Sequence, residues 1–87
     1  MLFLLIFTYD KIADALYIKF SNKKIVESLE IQQGIIIDYA EDNTIAGIEI
    51  LNYSRRKINL NNLIKLTSDE IVTELTKIKI DKIGAKK

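Results

Sequence analysis

Leu16, Ile18 and Phe20 alternate with Tyr17 and Lys19. That period of two sends successive side chains to opposite faces of a strand. The same β character recurs along the first half of the chain. An apolar run predicts a first strand over Leu2–Thr8, Lys24–Ile31 alternates imperfectly, Ile35–Tyr39 is dense in β-branched residues, and Ile45–Leu51 returns as a last strand. Between these runs lie Asp10–Asp14, Ser21-Asn22-Lys23, Gln32-Gln33-Gly34 and Glu41-Asp42-Asn43. Their Asp, Asn, Ser and Gly residues turn chains, because short polar side chains bond nearby backbone and Gly tolerates positive φ. Ser21-Asn22-Lys23 is expected as a hairpin turn. Consecutive strands with short connections predict an antiparallel meander.

After Tyr53 the period changes. Leu60, Leu63, Ile64 and Leu66 recur at near-helical spacing, and Ile71, Val72, Leu75 and Ile78 form an apolar stripe at the helical period. Thr67 or Ser68 is placed to cap that helix, with Asp69 and Glu70 in its first turn. Lys77, Lys79 and Lys82 suit its C-terminal end. The expected fold class is α+β: an antiparallel β-meander of four to five strands with a C-terminal helix packed on one face. One domain is expected over 1–87, with the sheet over 2–54, a helical segment over 55–83 and a frayed tail over 84–87. The sheet's other face would carry partly apolar residues, Tyr17, Ile36, Ile45 and Leu51, which favours a dimer or a partner.

Composition sharpens this expectation. A chain of 87 residues with 48% hydrophobic and 29% charged residues is neither disordered nor membrane-embedded. Domains this small are often stapled, yet the chain has no Cys and no His. Disulfides, thiolate ligands and the commonest metal ligand and acid–base group are thereby removed. Idealised packing or oligomerisation remains, and a homodimer is expected. Met1–Phe7 is too short to span a bilayer and lacks the basic region and small-residue cleavage site of a signal peptide. A cytoplasmic protein without membrane contact is therefore expected.

Net charge is +1, unevenly spread: Ile25–Asn52 holds six acids and no base, whereas Tyr53–Lys87 holds nine bases and four acids. Either the halves complement each other within one fold, or the acidic sheet meets a basic second chain. In the second case association weakens as salt rises.

Tyr9-Asp10-Lys11-Ile12-Ala13-Asp14-Ala15-Leu16-Tyr17-Ile18, the apolar segment Gly34–Tyr39 closing in Asp38-Tyr39, the acidic turn after it, and Gly47-Ile48-Glu49-Ile50-Leu51 together resemble a small prokaryotic family, domain of unknown function 2283. The resemblance spans about residues 2 to 54. Ile12 stands where the family usually has an acidic or similar polar residue, and the C-terminal segment is longer and more basic than the family pattern. The resemblance implies a compact α+β domain. Some members are similar to antitoxins that lie beside small ribonuclease-like toxins.

Asp10 and Asp14 flank a turn, and a structural role there is weighed against a metal site, which needs more oxygen ligands at close spacing. Asp38, Glu41 and Asp42 lack the Gly and terminal Glu of a calcium loop and read as a solvated turn. Glu49 points away from Ile48 and Ile50 inside an apolar strand. With Tyr17 and Asp38 it forms either a solvent-facing polar stripe or a recognition surface, to which Glu27 and Glu30 are added as partner-binding candidates. No nucleophile with an adjacent base and no phosphate loop is present. Arg55-Arg56-Lys57, next to Tyr53, reads as a solvated basic segment or as a nucleic-acid contact. The function expected is a non-enzymatic interaction module, antitoxin-like, binding a small basic protein, with no cofactor, no metal and no catalytic residue. The alternatives are a small-molecule binder or small enzyme using Asp38, Glu49 and Tyr17, and a nucleic-acid-binding protein using Arg55, Arg56, Lys57 and the lysine-rich end.

Overall fold

The computed structural model describes the backbone of residues 5–84 and the side chains of residues 5–77. Five strands form one antiparallel sheet: β1 (Ile6–Asp10), β2 (Ala15–Lys19), β3 (Ile25–Gln32), β4 (Ile35–Ala40) and β5 (Ile45–Leu51). A 3-10 turn (Tyr53–Arg55) follows, then α1 (Leu60–Leu63) and α2 (Ser68–Gly84). The fold is α+β, as expected. The first strand starts later than the apolar run suggests and continues to Asp10, where it pairs with Ala15. Residues 1–4, expected in that strand, and 85–87, expected in a frayed tail, lie outside the described residues. Two compact units are present, one ending at Lys57 and the other beginning at Ile58.

The connectivity corrects the meander. Strand order is β1-β2-β5-β4-β3, so β2 lies beside β5 and the chain from β3 to β5 doubles back in a Greek-key order. Ser21-Asn22-Lys23 is thus a crossover and not a hairpin turn. The β2 ladder is extended beyond Lys19 by Phe20 N–H, which donates to the Ala46 carbonyl at 2.9 Å. Burial gives the physical reason. In β5, Ala46, Gly47, Ile48 and Ile50 are all buried, and a strand covered on both faces belongs in the middle of a sheet. By contrast, seven of the eight residues of β3 are exposed, the signature of an edge.

Register fixes the faces. Leu16 opposes Ile50, which opposes Ile35, and Ile18 opposes Ile48, which opposes Ile37. All six are at most 2% exposed. Tyr17, Ile36, Asp38 and Glu49 take the other face and are half-buried.

The turns follow from their residues. In the β1–β2 hairpin, Asp10 Oδ1 accepts from Ile12 N–H at 3.0 Å and Ala13 N–H at 3.1 Å, an Asx turn. Asp14 ends that hairpin at φ 53°, a left-handed conformation that Asp tolerates. Gly34 turns β3 into β4 at φ 81°. In the β4–β5 loop, Asp42 Oδ1 accepts from Thr44 N–H at 3.1 Å and from the Thr44 hydroxyl at 2.6 Å, while Lys23 Nζ reaches Asp42 Oδ2 at 2.6 Å.

In the second unit, Asn59 caps α1 by accepting from Asn61 N–H at 2.9 Å. Thr67 and Glu70 form a reciprocal capping box at the start of α2: Thr67 N–H donates to Glu70 Oε1 at 2.9 Å and Glu70 N–H to Thr67 Oγ1 at 3.3 Å. Among the described residues, Leu63, Ile71 and Leu75 are the buried apolar groups here. Of the predicted stripe, Ile71 and Leu75, one turn apart, are buried and Val72 is half-buried, while the side chain of Ile78 lies outside the described residues. Among the described residues, no helix is long and apolar enough to cross a membrane.

Candidate functional site

Three side chains from three strands meet on the half-buried face. The Tyr17 hydroxyl on β2 donates to Asp38 Oδ2 on β4 at 2.7 Å. The Ser28 hydroxyl on β3 donates to the other oxygen, Asp38 Oδ1, at 2.6 Å. Strand β5 runs between β2 and β4, so the tyrosine must reach across it. It does so over Gly47, the residue directly opposite Asp38. A methyl group added at Gly47 would overlap the Tyr17 hydroxyl and ring edge. Glycine in this strand interior is therefore explained by close approach of a neighbouring side chain.

This arrangement restrains the chemistry. Burial first, then the hydrogen bond to Asp38 and the charges of Asp38 and Glu49, push the Tyr17 hydroxyl above its ordinary range. It stays protonated at neutral pH and acts as a donor. Both Asp38 oxygens accept hydroxyl protons, which positions the carboxylate as a structural acceptor across four strands. Glu49 sits beside this row, opposite Tyr17 on one side and Ile36 on the other. Lys19, opposite Gly47, is the nearby cation by register. The ion pairs found among the described residues, Lys23–Asp42 and Lys77–Glu74, involve none of these groups.

The other sequence candidates divide. Glu30 lies on the same face, opposite Ile36, and its Oε2 accepts from Gly34 N–H at 2.8 Å across the β3–β4 turn. Glu27 does not join them: it precedes Ser28 in regular register and opposes Tyr39, so strand alternation turns it to the opposite face. Ser28 and Gly47 were not singled out from sequence. Gly47 did carry a signal, since an isolated Gly inside a strand marks a close approach, but nothing local identified Tyr17 as the group approaching.

Asp14 and Arg56 serve the backbone at long range. Asp14 accepts from the Tyr9 hydroxyl at 2.6 Å, from Ser54 N–H at 3.0 Å and from the Ser54 hydroxyl at 2.7 Å. It thereby ties the first hairpin to the segment after β5. The Tyr9 bond, then those from Ser54, hold its carboxyl below the ordinary carboxylate range. Tyr9 also packs against Tyr53, with ring centroids 5.8 Å apart. Arg56 Nε donates to the Leu51 carbonyl at 2.7 Å and Nη2 to the Gln33 carbonyl at 2.9 Å. These bonds join the end of β5 to the β3–β4 turn, whereas Arg55 and Lys57 beside it are exposed.

An open recess of about 250 Å³ is lined by Lys23, Lys24, Ala40, Glu41 and Asp42, away from Tyr17, Asp38 and Glu49. Among the described residues, no three acidic side chains gather closely enough to hold a metal ion.

No curated protein and no solved structure matches the chain. One family model does, described as a protein of unknown function (DUF2283), over residues 6–54. The match opens at the first residue of β1 and closes at Ser54, the residue that Asp14 holds. It therefore encloses the whole five-stranded sheet and more than half of the chain, and the chain belongs to the DUF2283 family.

Proposed function

We propose that the protein is a non-enzymatic interaction module that presents the acidic face of its sheet to a basic protein partner. The observation that carries this reading is the placement of Glu30, Asp38 and Glu49 with Tyr17 on one half-buried face, none of them in an ion pair among the described residues. Carboxylates held on strands form a fixed field that speeds encounter with a cationic surface and rejects like-charged ones. Asp38 is bonded at both oxygens, which fixes its carboxylate in position on this face. In the finer form of the proposal, suggested by the family resemblance, the protein is a cytoplasmic antitoxin-like chain and its partner a small basic toxin.

The test is capture from a lysate of the source cell with the wild-type protein and with a Glu30→Gln, Glu49→Gln double variant. A basic protein retained by the wild type, released as salt rises and lost in the variant is the expected result. Retention indifferent to both salt and the two carboxylates overturns the reading.

A further inference from the structure

The longest strand of the sheet, β3, is also one of its two edges, the other being the shorter β1. Natural edge strands are usually short, covered or heavily charged, because a row of unpaired N–H and C=O groups templates further pairing. Here Ile25, Val26, Leu29 and Ile31 are 44%, 53%, 45% and 37% exposed. Half of the strand's residues are thus large apolar groups in contact with water.

We infer that β3 is the seam of a homodimer, pairing antiparallel with β3 of a second copy across a two-fold axis near Ser28 and joining two five-stranded sheets into one. The occupant follows from the charges along the strand. Lys23 and Lys24 precede it, and Glu27 and Glu30 lie in its middle and later part. Lys23 is held by Asp42, which leaves Lys24 as the cation available at this end. Antiparallel self-pairing centred on Ser28 uses the regular stretch Glu27–Glu30 between the two register shifts of β3 and brings the Lys24 end of each copy to the Glu30 end of the other, where a long lysine side chain reaches a diagonal neighbour. It also brings the Ile25 end of one copy to the Ile31 end of the other. Parallel pairing would stack Lys on Lys and Glu on Glu. Self-complementarity of one patch is what a two-fold interface demands, and an 87-residue chain without Cys gains from such a partner.

The seam also positions the acidic face. Ser28 at the axis donates to Asp38, so the Tyr17–Asp38–Ser28 rows of the two copies would lie end to end and double the charged surface. The edge pairing shares Glu30 with the face proposed for the basic partner, but its main-chain groups and apolar side chains are those of β3, and it uses neither Asp38 nor Glu49.

The experiment measures mass by light scattering and amide hydrogen exchange on the full chain at micromolar concentration. The expected mass is twice 10.0 kDa, with exchange over residues 25–32 slowing as concentration rises. An Ile25→Lys, Leu29→Lys variant, at two exposed positions, is expected to give the monomer mass with an unchanged circular dichroism spectrum. A Glu49→Gln variant remains a dimer. A monomer mass for the wild type overturns the inference. So does a dimer in which β3 exchange is independent of concentration, or one that survives in a folded Ile25→Lys, Leu29→Lys variant. Loss of lysate capture by Glu49→Gln with the dimer intact would separate the two surfaces.

Discussion

Gly47→Ala is the substitution that isolates the Tyr17 reach. The new methyl would overlap the Tyr17 hydroxyl and ring edge, so the ring must swing away and abandon Asp38. A hydrogen bond to a charged acceptor contributes about 1.5–3 kcal/mol. Replacing Gly by Ala in a strand returns roughly 0.5–1 kcal/mol through chain entropy. The difference is a net loss of about 0.5–2.5 kcal/mol, or roughly 2–20 °C in Tm for a domain of this size. Urea unfolding followed by circular dichroism measures it, with an unchanged m-value as the check on two-state behaviour. The Tyr17→Ala background decides the cause. There the obstacle is gone, and Gly47→Ala should become neutral or stabilising by roughly 0.5–1 kcal/mol. The two positions should therefore couple by about 1.5–3 kcal/mol in a double-mutant cycle. Equal effects of Gly47→Ala in both backgrounds would refute the close approach and leave that glycine without its explanation.

At alkaline pH the raised Tyr17 pKa, caused first by burial and then by Asp38, makes the folded state hold its proton after the unfolded chain has released it. Stability is fully present below the unfolded value near 10 and falls as pH rises above it. Tyr17→Phe should flatten that limb of the stability curve, with part retained by Tyr9, whose hydroxyl is raised first by its bond to Asp14. At the acid end, the Asp14 carboxyl is lowered first by Tyr9 and then by Ser54, so its contribution is present above the unfolded value and is lost as pH falls through the folded one. Asp14→Asn should shrink the loss seen below about pH 4, and Ser54→Ala should add less to that variant than to the wild type. Arg56→Ala leaves the Leu51 and Gln33 carbonyls without their guanidinium donor and should cost about 1–3 kcal/mol in urea unfolding. Arg56→Lys should not recover it, because an ammonium cannot fork to two carbonyls in the same geometry.

Local pattern reached as far as single elements. Alternation around Tyr17, the β-branched run after Gly34 and the strand closing at Leu51 all became strands within a residue or two of their expected ends. The helix cap at Thr67 was equally legible, because a capping box is a short-range device. Strand order was not. The Phe20–Lys24 connection looks like a turn at the scale of five residues, and only the double-sided burial of β5 shows why β2 must seek that strand. Faces were read correctly where alternation is unbroken, as at Tyr17, Asp38 and Glu49. Glu27 and Glu30 are three residues apart in a regular stretch of β3, so alternation alone turns them to opposite faces, and which of the two shares the face of Asp38 depends on a pairing register that the sequence does not show. Arg56 illustrates the same limit: nothing beside it in the sequence announces that its guanidinium reaches the carbonyl of Gln33, 23 residues earlier.

What holds β3 in place bears on what its side chains are for. On its inner side it pairs with β4. Polar ties reinforce that attachment: Ser28 to Asp38, Glu30 to Gly34 N–H, and Arg56 to the Gln33 carbonyl just beyond the strand. The apolar groups of β3 are only about half covered in the monomer. Leu29 is 45% exposed while Ile37, its opposite neighbour on β4, is 1% exposed. The same substitution should therefore have unlike effects at two adjacent positions. Leu29→Lys is expected to change monomer stability by no more than about 0.5 kcal/mol, the usual range for a surface site. Ile37→Lys places an unpaired charge in the core and should prevent folding at ordinary temperature. Urea unfolding in dilute solution, where any dimer has dissociated, makes the comparison. A loss at Leu29 approaching that at Ile37 would mean that the exposed side chains of β3 belong to the core of the fold, and the case for a second copy at this edge would fall with it.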